Sequence, residues 1–589
     1  MASLRVFLTD IVSECFQTCG YDQKYGQVTV SNRPDLGHFQ CNGPLAAAKA
    51  YRENPRDIAS KIAAGLTKND VFKTISVAGP GFINIALSDS YLANYVAKME
   101  DARLGVEKVL EPDTIVVDYG GANIAKPLHV GHLRSGIIGE AIKRLARFLG
   151  HNVIGDVHLG DWGLQMGMVI SEIERRSPTL PYFSDGDNGP YPEQSPVTVE
   201  DLDEIYPTAS ARCKTDELAL EEARRVTREL HDGRPGYFAL WKKIHDVSVD
   251  DLKSDYEKLN IEFDLWLGES DARDRIAQLT NRLVKQGVAE RSQGALVIFV
   301  ARPDDKKDLP PLLLIKSDGA ALYGTTDLAT IEHRMEQFKP NLMLYVVDSR
   351  QSDHFNQVFR AARKAGIAPE SEVAFEHIGF GTMNGKDGKP FKTRSGDVMK
   401  LKDLIQMLVI KAAERMEEAE VAEKYSAEEK QAIARTIGVA ALKFGDLMNQ
   451  PSKDYVFDLD RFASFEGKTG PYLLYTAVRI KSIMRKAAEQ GLSVGPLIPA
   501  VSDIERAILL KLASLADQLQ ISFKQRATHF LCDFAYELSA DYSAFYRDHH
   551  ILREEDKARQ SSWLALSSLS LSAIELITNL LGIELPERM

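Results

Sequence analysis

The chain has 589 residues, 44% hydrophobic and 26% charged, an ordinary profile for folded domains and too long for a single hydrophobic core. A formal net charge of -12 excludes a non-specific nucleic-acid coat, which is basic, but leaves room for a specific RNA partner met by a local basic stripe. Cys15, Cys19, Cys41, Cys213 and Cys532 are scattered without the doubled CxxC units of a zinc knuckle, so they read as small buried side chains in a reducing compartment. The N-terminus lacks the basic start and long apolar core of a signal peptide. Residues 1–108 mix helix and strand, with 76–87 reading as a short apolar strand and a Gly-Pro-Gly turn. Residues 106–114 form a connector containing Glu and Pro.

From residue 115 the pattern changes. Ile115, Val116 and Val117 are a short apolar run, as in a buried parallel strand. A loop carries Asn123 to His129. Leu133, Ile137, Ala141, Leu145 and Phe148 then recur at helical period, closed by Gly150, and 152–157 is a second apolar strand. Strand, loop, helix and strand make a βαβ unit of the nucleotide-binding kind. Residues 175–207 hold six prolines and are expected to be an irregular surface insertion. Charged helical pattern runs to about 283. Strand-like runs return at 295–300, 312–315 and 342–347, and from about 401 nearly everything reads as helix. Residues 563–581 are apolar enough to suggest a membrane span, but Glu575, several serines and the following Gly582 read better as a buried C-terminal helix.

The sharpest chemical signal is His129-Val130-Gly131-His132, at a loop-to-helix junction. A helix N-terminus offers N–H groups and a positive dipole end to an anion. Gly131 lets a nucleotide approach the backbone, and two histidines three apart can donate hydrogen bonds to phosphate oxygens. Gly467-Lys468-Thr469 has the look of a phosphate-binding loop, but Phe462 stands where that loop needs glycine.

His129 to His132 resembles the HIGH signature of class I aminoacyl-tRNA synthetases. The run from Val117 to Ser135 is similar to the arginyl family in particular. So are Gly160-Asp161-Trp162-Gly163, Leu322-Tyr323-Gly324-Thr325-Thr326-Asp327, Asp348-Ser349-Arg350-Gln351 and the block from Gly388 to Gly396. The likeness extends from Leu36–Gly43 to the terminal Pro586-Glu587-Arg588-Met589. It implies an α/β fold: a Rossmann-type catalytic domain over 109–400 with an insertion around 168–290. An N-terminal α+β domain over 1–108 would touch the tRNA, and an all-helical anticodon-binding domain would cover 401–589.

The resemblance further implies an arginine–tRNA ligase that uses ATP with magnesium and no structural metal. Its partners would be L-arginine, ATP and tRNA(Arg), and it would work as a cytoplasmic monomer away from membranes. Asp118, Asn123, His129, Tyr323, Asp327 and Gln351 would hold arginine. A guanidinium needs a carboxylate partner, and Asp118 and Asp327 are placed to clamp it at the ends of apolar strands or the turns after them. His129, Gly131, His132, Lys389, Lys392 and Arg394 would bind ATP, with His129, His132, Lys126 and Lys392 doing the catalytic work.

This sequence departs from the family pattern twice. Gly120-Gly121-Ala122 replaces a Ser-Ser-Pro that often precedes the asparagine, and Thr393 replaces the second lysine of the signature loop. In the family, the lysine before the HIGH signature, here Lys126, is thought to supply the missing charge. Tyr472, Tyr475, Arg479 and Lys486 share a helix face and suit splayed RNA bases and phosphates. Spacing alone serves a buried aromatic seam equally well, and the resemblance decides for RNA. Two alternatives stay open on the residues: a class I enzyme for another amino acid, and a non-catalytic relative that binds tRNA.

Overall fold

Leu4, Leu8, Val12 and Phe16 fall one turn apart and are buried on one face of helix α1 (Leu4–Thr18), whose first turn is capped by the Ser3 hydroxyl accepting the Val6 N–H. Strands β1 (Val28–Val30) and β2 (Phe39–Cys41), helices α2 (Gly43–Tyr51) and α3 (Pro55–Leu66), strands β3 (Phe72–Ala78) and β4 (Phe82–Leu87) and helix α4 (Asp89–Val96) follow. The strands form an antiparallel sheet in the order β1-β2-β4-β3. The stretch expected as one strand with a turn is the body of a hairpin, with Gly79, Pro80 and Gly81 turning β3 into β4.

The computed structural model describes residues 3–33, 35–184, 189–317, 321–389, 391, 399–418 and 425–589. Met1–Val109, Arg415–Phe444 and Ala463–Met589 form one compact unit, and Leu110–Glu414 with Gly445–Phe462 form another. The units thus cut the chain differently from a three-segment division at 108 and 400. In the first unit, helices Gly470–Glu489, Asp503–Ala513, Leu515–Gln525, His529–Asp548 and Lys557–Leu580 follow the N-terminal elements. Arg506 pairs with Asp89, and Ser3 and Arg5 bond to Asp517, so the two ends of the chain share this unit. Lys557–Leu580 is long and apolar enough to cross a membrane, yet 67% of its apolar window is buried within the fold.

In the second unit, β5 (Thr114–Asp118), α5 (Val130–Leu149) and β6 (Asn152–Asp156) form the expected βαβ unit. Helices α6 (Leu164–Arg176), α7 (Val199–Thr215), α8 (Glu217–His231), α9 (Pro235–Lys258) and α10 (Glu269–Lys285) make the insertion. The expectation of irregular chain up to 207 is corrected here. Thr198 and Asp201 form a reciprocal cap, and α7 continues through Pro207. Two satisfied orphan donors at the start outweigh one backbone bond lost inside. An antiparallel meander, β7 (Glu290–Ser292), β8 (Ala295–Ile298) and β9 (Leu312–Ile315), precedes α11 (Tyr323–Phe338), β10 (Leu342–Asp348), α12 (Ser352–Lys364) and β11 (Ala374–Phe380). The main sheet has the order β11-β10-β5-β6, parallel throughout, and the carboxyl ends of its strands face the site.

At those ends Arg334 of α11 donates from Nη2 to Asp118 and to Asp156, 2.7 Å in each case. All three side chains are buried. Burial pushes the Asp118 carboxyl up, against the pull of the Arg334 charge. Replacing the cation by an apolar chain of similar length leaves two buried carboxylates unpaired. Arg334→Met is therefore expected to destabilise this unit by about 3–5 kcal/mol. Trp162, Trp241 and Trp266 lie in this unit and Trp563 in the other, so fluorescence-detected urea unfolding in a Trp563→Phe background reports on it. An unchanged midpoint would remove the triad from the list of what holds the sheet end together.

Candidate active site

Helix α5 starts with backbone donors that need acceptors. His129 is the N-cap, and the Gly131 N–H donates to its Nδ1 at 3.0 Å. The His129 N–H donates to Nδ1 of His132 at 3.2 Å, and the two rings stack with centroids 3.9 Å apart. Burial, with the Lys126 charge nearby, holds the His129 pKa below its usual value. Burial, His129 and Lys126 push that of His132 down to about 3. Both rings are thus neutral with Nδ1 accepting, which leaves the proton on Nε2 as the donor.

This changes the expected role of Gly131. Its N–H is engaged by His129, and an added Cβ would meet His129 Cε1 at 2.8 Å and Nδ1 at 2.9 Å. The missing side chain makes room for the protein's own ring. Gly120 likewise has a left-handed φ of +92°, and a Cβ there would meet Phe263 Cζ at 2.9 Å and Tyr256 Oη at 3.0 Å. Aromatic side chains of this protein occupy the space a serine would need.

Residues 399–401 are stitched to the loop before α5. The Leu401 N–H donates to Leu128 O at 2.8 Å and the Val130 N–H to Met399 O at 3.2 Å, pairing His129 with Lys400. Lys126 places its ammonium 4.3 Å over the ring of Tyr206. Lys389 is exposed in the turn closed by the Gly385 N–H donating to Lys389 O. Lys392 and Arg394 lie outside the described residues.

The residues expected to hold arginine gather around the strand ends. Asp118 ends β5, where Arg334 engages it, so it is no free carboxylate awaiting a ligand. Asn123 is in the following loop, paired with Gly160. Gln351 is exposed in a single helical turn (Ser349–Gln351) after β10. Asp327 sits neither at a strand end nor in the turn after one. It lies in α11, on the same face as Tyr323 four residues earlier. Tyr323 opens that helix and is 68% exposed.

Two groups in this pocket escape a reading of the sequence. His354 of α12 places Nε2 at 2.6 Å from Asp327 Oδ2. Burial disfavours its imidazolium, but the hydrogen bond and charge of Asp327 together hold its pKa above the ordinary value. Glu269, at the start of α10, is only 8% exposed. Burial, Asp161 and Asp327 push its carboxyl up to about 8, against a hydrogen bond from the Trp162 backbone. The pairing of Leu159 with Gly268 delivers it there. In the sequence it looks like any acid in a first helical turn. Among the described residues, no three His, Cys, Asp or Glu side chains are grouped to hold a metal ion.

In the helical part of the first unit, Tyr472 turns inward, with its hydroxyl 3.2 Å from Ser543 Oγ. The Arg479 guanidinium lies 4.5 Å from the ring centroid of Tyr475 and 5.5 Å from that of Tyr546, both exposed. Lys486 is exposed in the last turn of the same helix. Tyr546 comes from helix His529–Asp548, beyond the reach of spacing within one helix.

A parallel sheet whose first crossover helix begins at HVGH defines a class I aminoacyl-tRNA synthetase, and residues 96–459 match the family model described as tRNA synthetases class I (R), catalytic domain. Residues 4–87 match the arginyl tRNA synthetase N terminal domain and 473–589 the DALR anticodon binding domain. The chain belongs to the arginyl-tRNA synthetase family. It is 51% identical to the arginine–tRNA ligase of Alkaliphilus oremlandii, over 99% of each chain, and 48% identical to that of Agathobacter rectalis, over 100% of each. Its fold is similar to the crystal structure of arginyl-tRNA synthetase from Plasmodium falciparum, with a TM-score of 0.80 and 25% identity over 100% of both chains.

Gly131→Ala tests the seating of the histidines. Its methyl group would displace the His129 ring, and ATP-dependent turnover is expected to fall by roughly 10²–10³-fold, the scale for losing one oriented donor. Steady-state kinetics at saturating ATP checks this, and a near-parent rate would mean that the His129 Nε2–H does not act on the nucleotide.

Proposed function

We infer that the chain is an arginine–tRNA ligase whose specificity rests on a buried acidic pocket beside the HVGH helix start. In the first step an arginine carboxylate oxygen attacks the ATP α-phosphorus and pyrophosphate leaves. In the second a ribose hydroxyl at the tRNA terminus attacks the arginyl carbonyl and AMP leaves. Neither step needs a nucleophile from the protein, so its work is positioning and electrostatic stabilisation. Magnesium travels with the triphosphate in this reading. The Nε2–H donors of His129 and His132 suit phosphate oxygens, and Lys126 contributes positive charge where Thr393 cannot. Lys389, Lys392 and Arg394 belong to the same anion-binding set.

The observation that carries the reading is Glu269 beside Asp327 and Asp161. Asp161 and Glu269 are buried and Asp327 is half-buried with His354 beside it; acids gathered in this way favour a further cation between Asp327 and Glu269. A substrate guanidinium supplies one, and Asp327 and Glu269 are its partners, with Tyr323 at the mouth. Asp118, held by Arg334, shapes the floor, while Asn123, His129 and Gln351 suit the α-amino and carboxyl groups. Tyr475, Arg479 and Tyr546 offer a stacking surface for splayed bases of tRNA(Arg), with Lys486 for backbone phosphate. Tyr472 supports that surface from within, and residues 1–108 serve as a further tRNA contact. The enzyme works as a cytoplasmic monomer.

Asp327→Asn is expected to raise the Michaelis constant for arginine by about 10–100-fold, the scale of one charge-assisted contact, and to leave that for ATP in place. Glu269 adds a pH signature. With its carboxyl raised to about 8 in the empty pocket, it is mostly protonated at neutral pH. A bound guanidinium favours the carboxylate, so arginine binding releases a proton. Affinity then rises as pH climbs through this value and levels off above it. Calorimetric titration of arginine at pH 7, in buffers of different ionisation enthalpy, should report release approaching one proton, and none in Glu269→Gln. Heats that are the same in every buffer would rule out this pocket for the guanidinium.

A further inference from the structure

Helix α7 comes from the insertion, yet one turn of it touches two parts of the site. Asp203 Oδ2 accepts from Lys400 Nζ at 2.5 Å, and Lys400 pairs through its backbone with His129. Tyr206, three residues on and on the same face, lies with its ring 4.3 Å from the Lys126 ammonium. Tyr206 is also close enough to Tyr323 to act, with Glu269, on the ionisation of its phenol. Pro207 follows at once and has no N–H, so this turn lacks one backbone bond of a regular helix.

An aromatic face differs from a carboxylate as a partner for lysine. It attracts the ammonium through the ring quadrupole and restrains the long side chain, but it leaves the positive charge intact. A carboxylate at the same place would neutralise the charge that the triphosphate needs. Lys126 is near enough to His129 and His132 for its charge to depress the ionisation of both rings. The ring of Tyr206 thus holds this side chain on the loop that leads into the histidines.

We propose that Tyr206 is a positioning residue for the activation step: its ring holds the Lys126 ammonium against the HVGH helix start, so that the insertion helix α7 forms part of the machinery that stabilises phosphoryl charge. The proposal rests on the role given above to Lys126. It explains why a helix remote from the nucleotide-binding strands carries Asp203 and Tyr206 on one face, each meeting a lysine that flanks His129.

The test is single-turnover formation of arginyl-adenylate, with ATP, arginine and tRNA supplied to the full chain. Tyr206→Leu keeps apolar volume and loses the ring; it is expected to lower the rate by about tenfold. Tyr206→Phe restores most of the loss. Adding Tyr206→Leu to Lys126→Ala costs nothing further, because the two residues act as one unit. Fluorinated phenylalanines at position 206 keep the shape while draining the negative face of the ring, so the rate should fall stepwise with fluorine content. A rate indifferent to fluorination overturns the proposal even if Tyr206→Leu fails to fold. A full additional loss on the Lys126→Ala background overturns it as well. A Lys126→Ala enzyme with the parent rate defeats the reading of Lys126 itself, whereas a slow Lys126→Ala beside an unimpaired Tyr206→Leu defeats only the claim about Tyr206.

Discussion

The first turn of α5 leaves backbone N–H groups in search of acceptors, and the protein answers with the imidazoles of His129 and His132. This cap settles several properties together. Each Nδ1 is committed to the backbone, so each ring must present Nε2–H outward. The rings are stacked and half-buried, and their lowered pKa values keep them neutral, so they donate without carrying charge. The same atoms that start the helix thereby fix the tautomer of both rings. Residues 399–401, laid along residues 128–130, hold the entry to that turn from the outside.

Charge around the strand ends is distributed unevenly. Arg334 joins Asp118 to Asp156, tying β5 to β6 beneath the pocket. Asp161 is occupied by Ser270, whose N–H and hydroxyl both donate to it. Glu269 has only a backbone donor against its burial and its acidic neighbours, and its raised pKa records the imbalance. In the proposed reading, a neutral side chain would leave Glu269 without the cation that its surroundings favour.

The βαβ unit was legible because its signals are local. Ile115 to Val117 form an apolar run, Leu133 to Phe148 keep the helical period, and HVGH falls between them. Other features are non-local or imitate ordinary patterns. Glu269 arrives through a pairing between Leu159 and Gly268. His354 reaches Asp327 from the next helix, and Tyr546 meets Arg479 across two helices. The proline-rich stretch was misleading because a reciprocal cap at Thr198 overrides the proline inside α7. The bond from Arg334 to Asp118, 216 residues away in sequence, is likewise invisible to a list of motif residues.

The union of the two chain ends has a consequence for synthesis. Ser3 and Arg5 find their partner in Asp517, and Asp89 finds its own in Arg506. An N-terminal segment emerging from the ribosome must therefore wait for more than 400 residues before these contacts can form. The whole of the second unit lies between the two ends in sequence and can fold in the meantime. Until then the apolar face of α1 has only its neighbours in the first hundred residues to cover it. Translation thus makes the nucleotide-binding body early and closes the terminal unit last, leaving an interval in which the nascent N-terminus depends on chaperones or on its own small core.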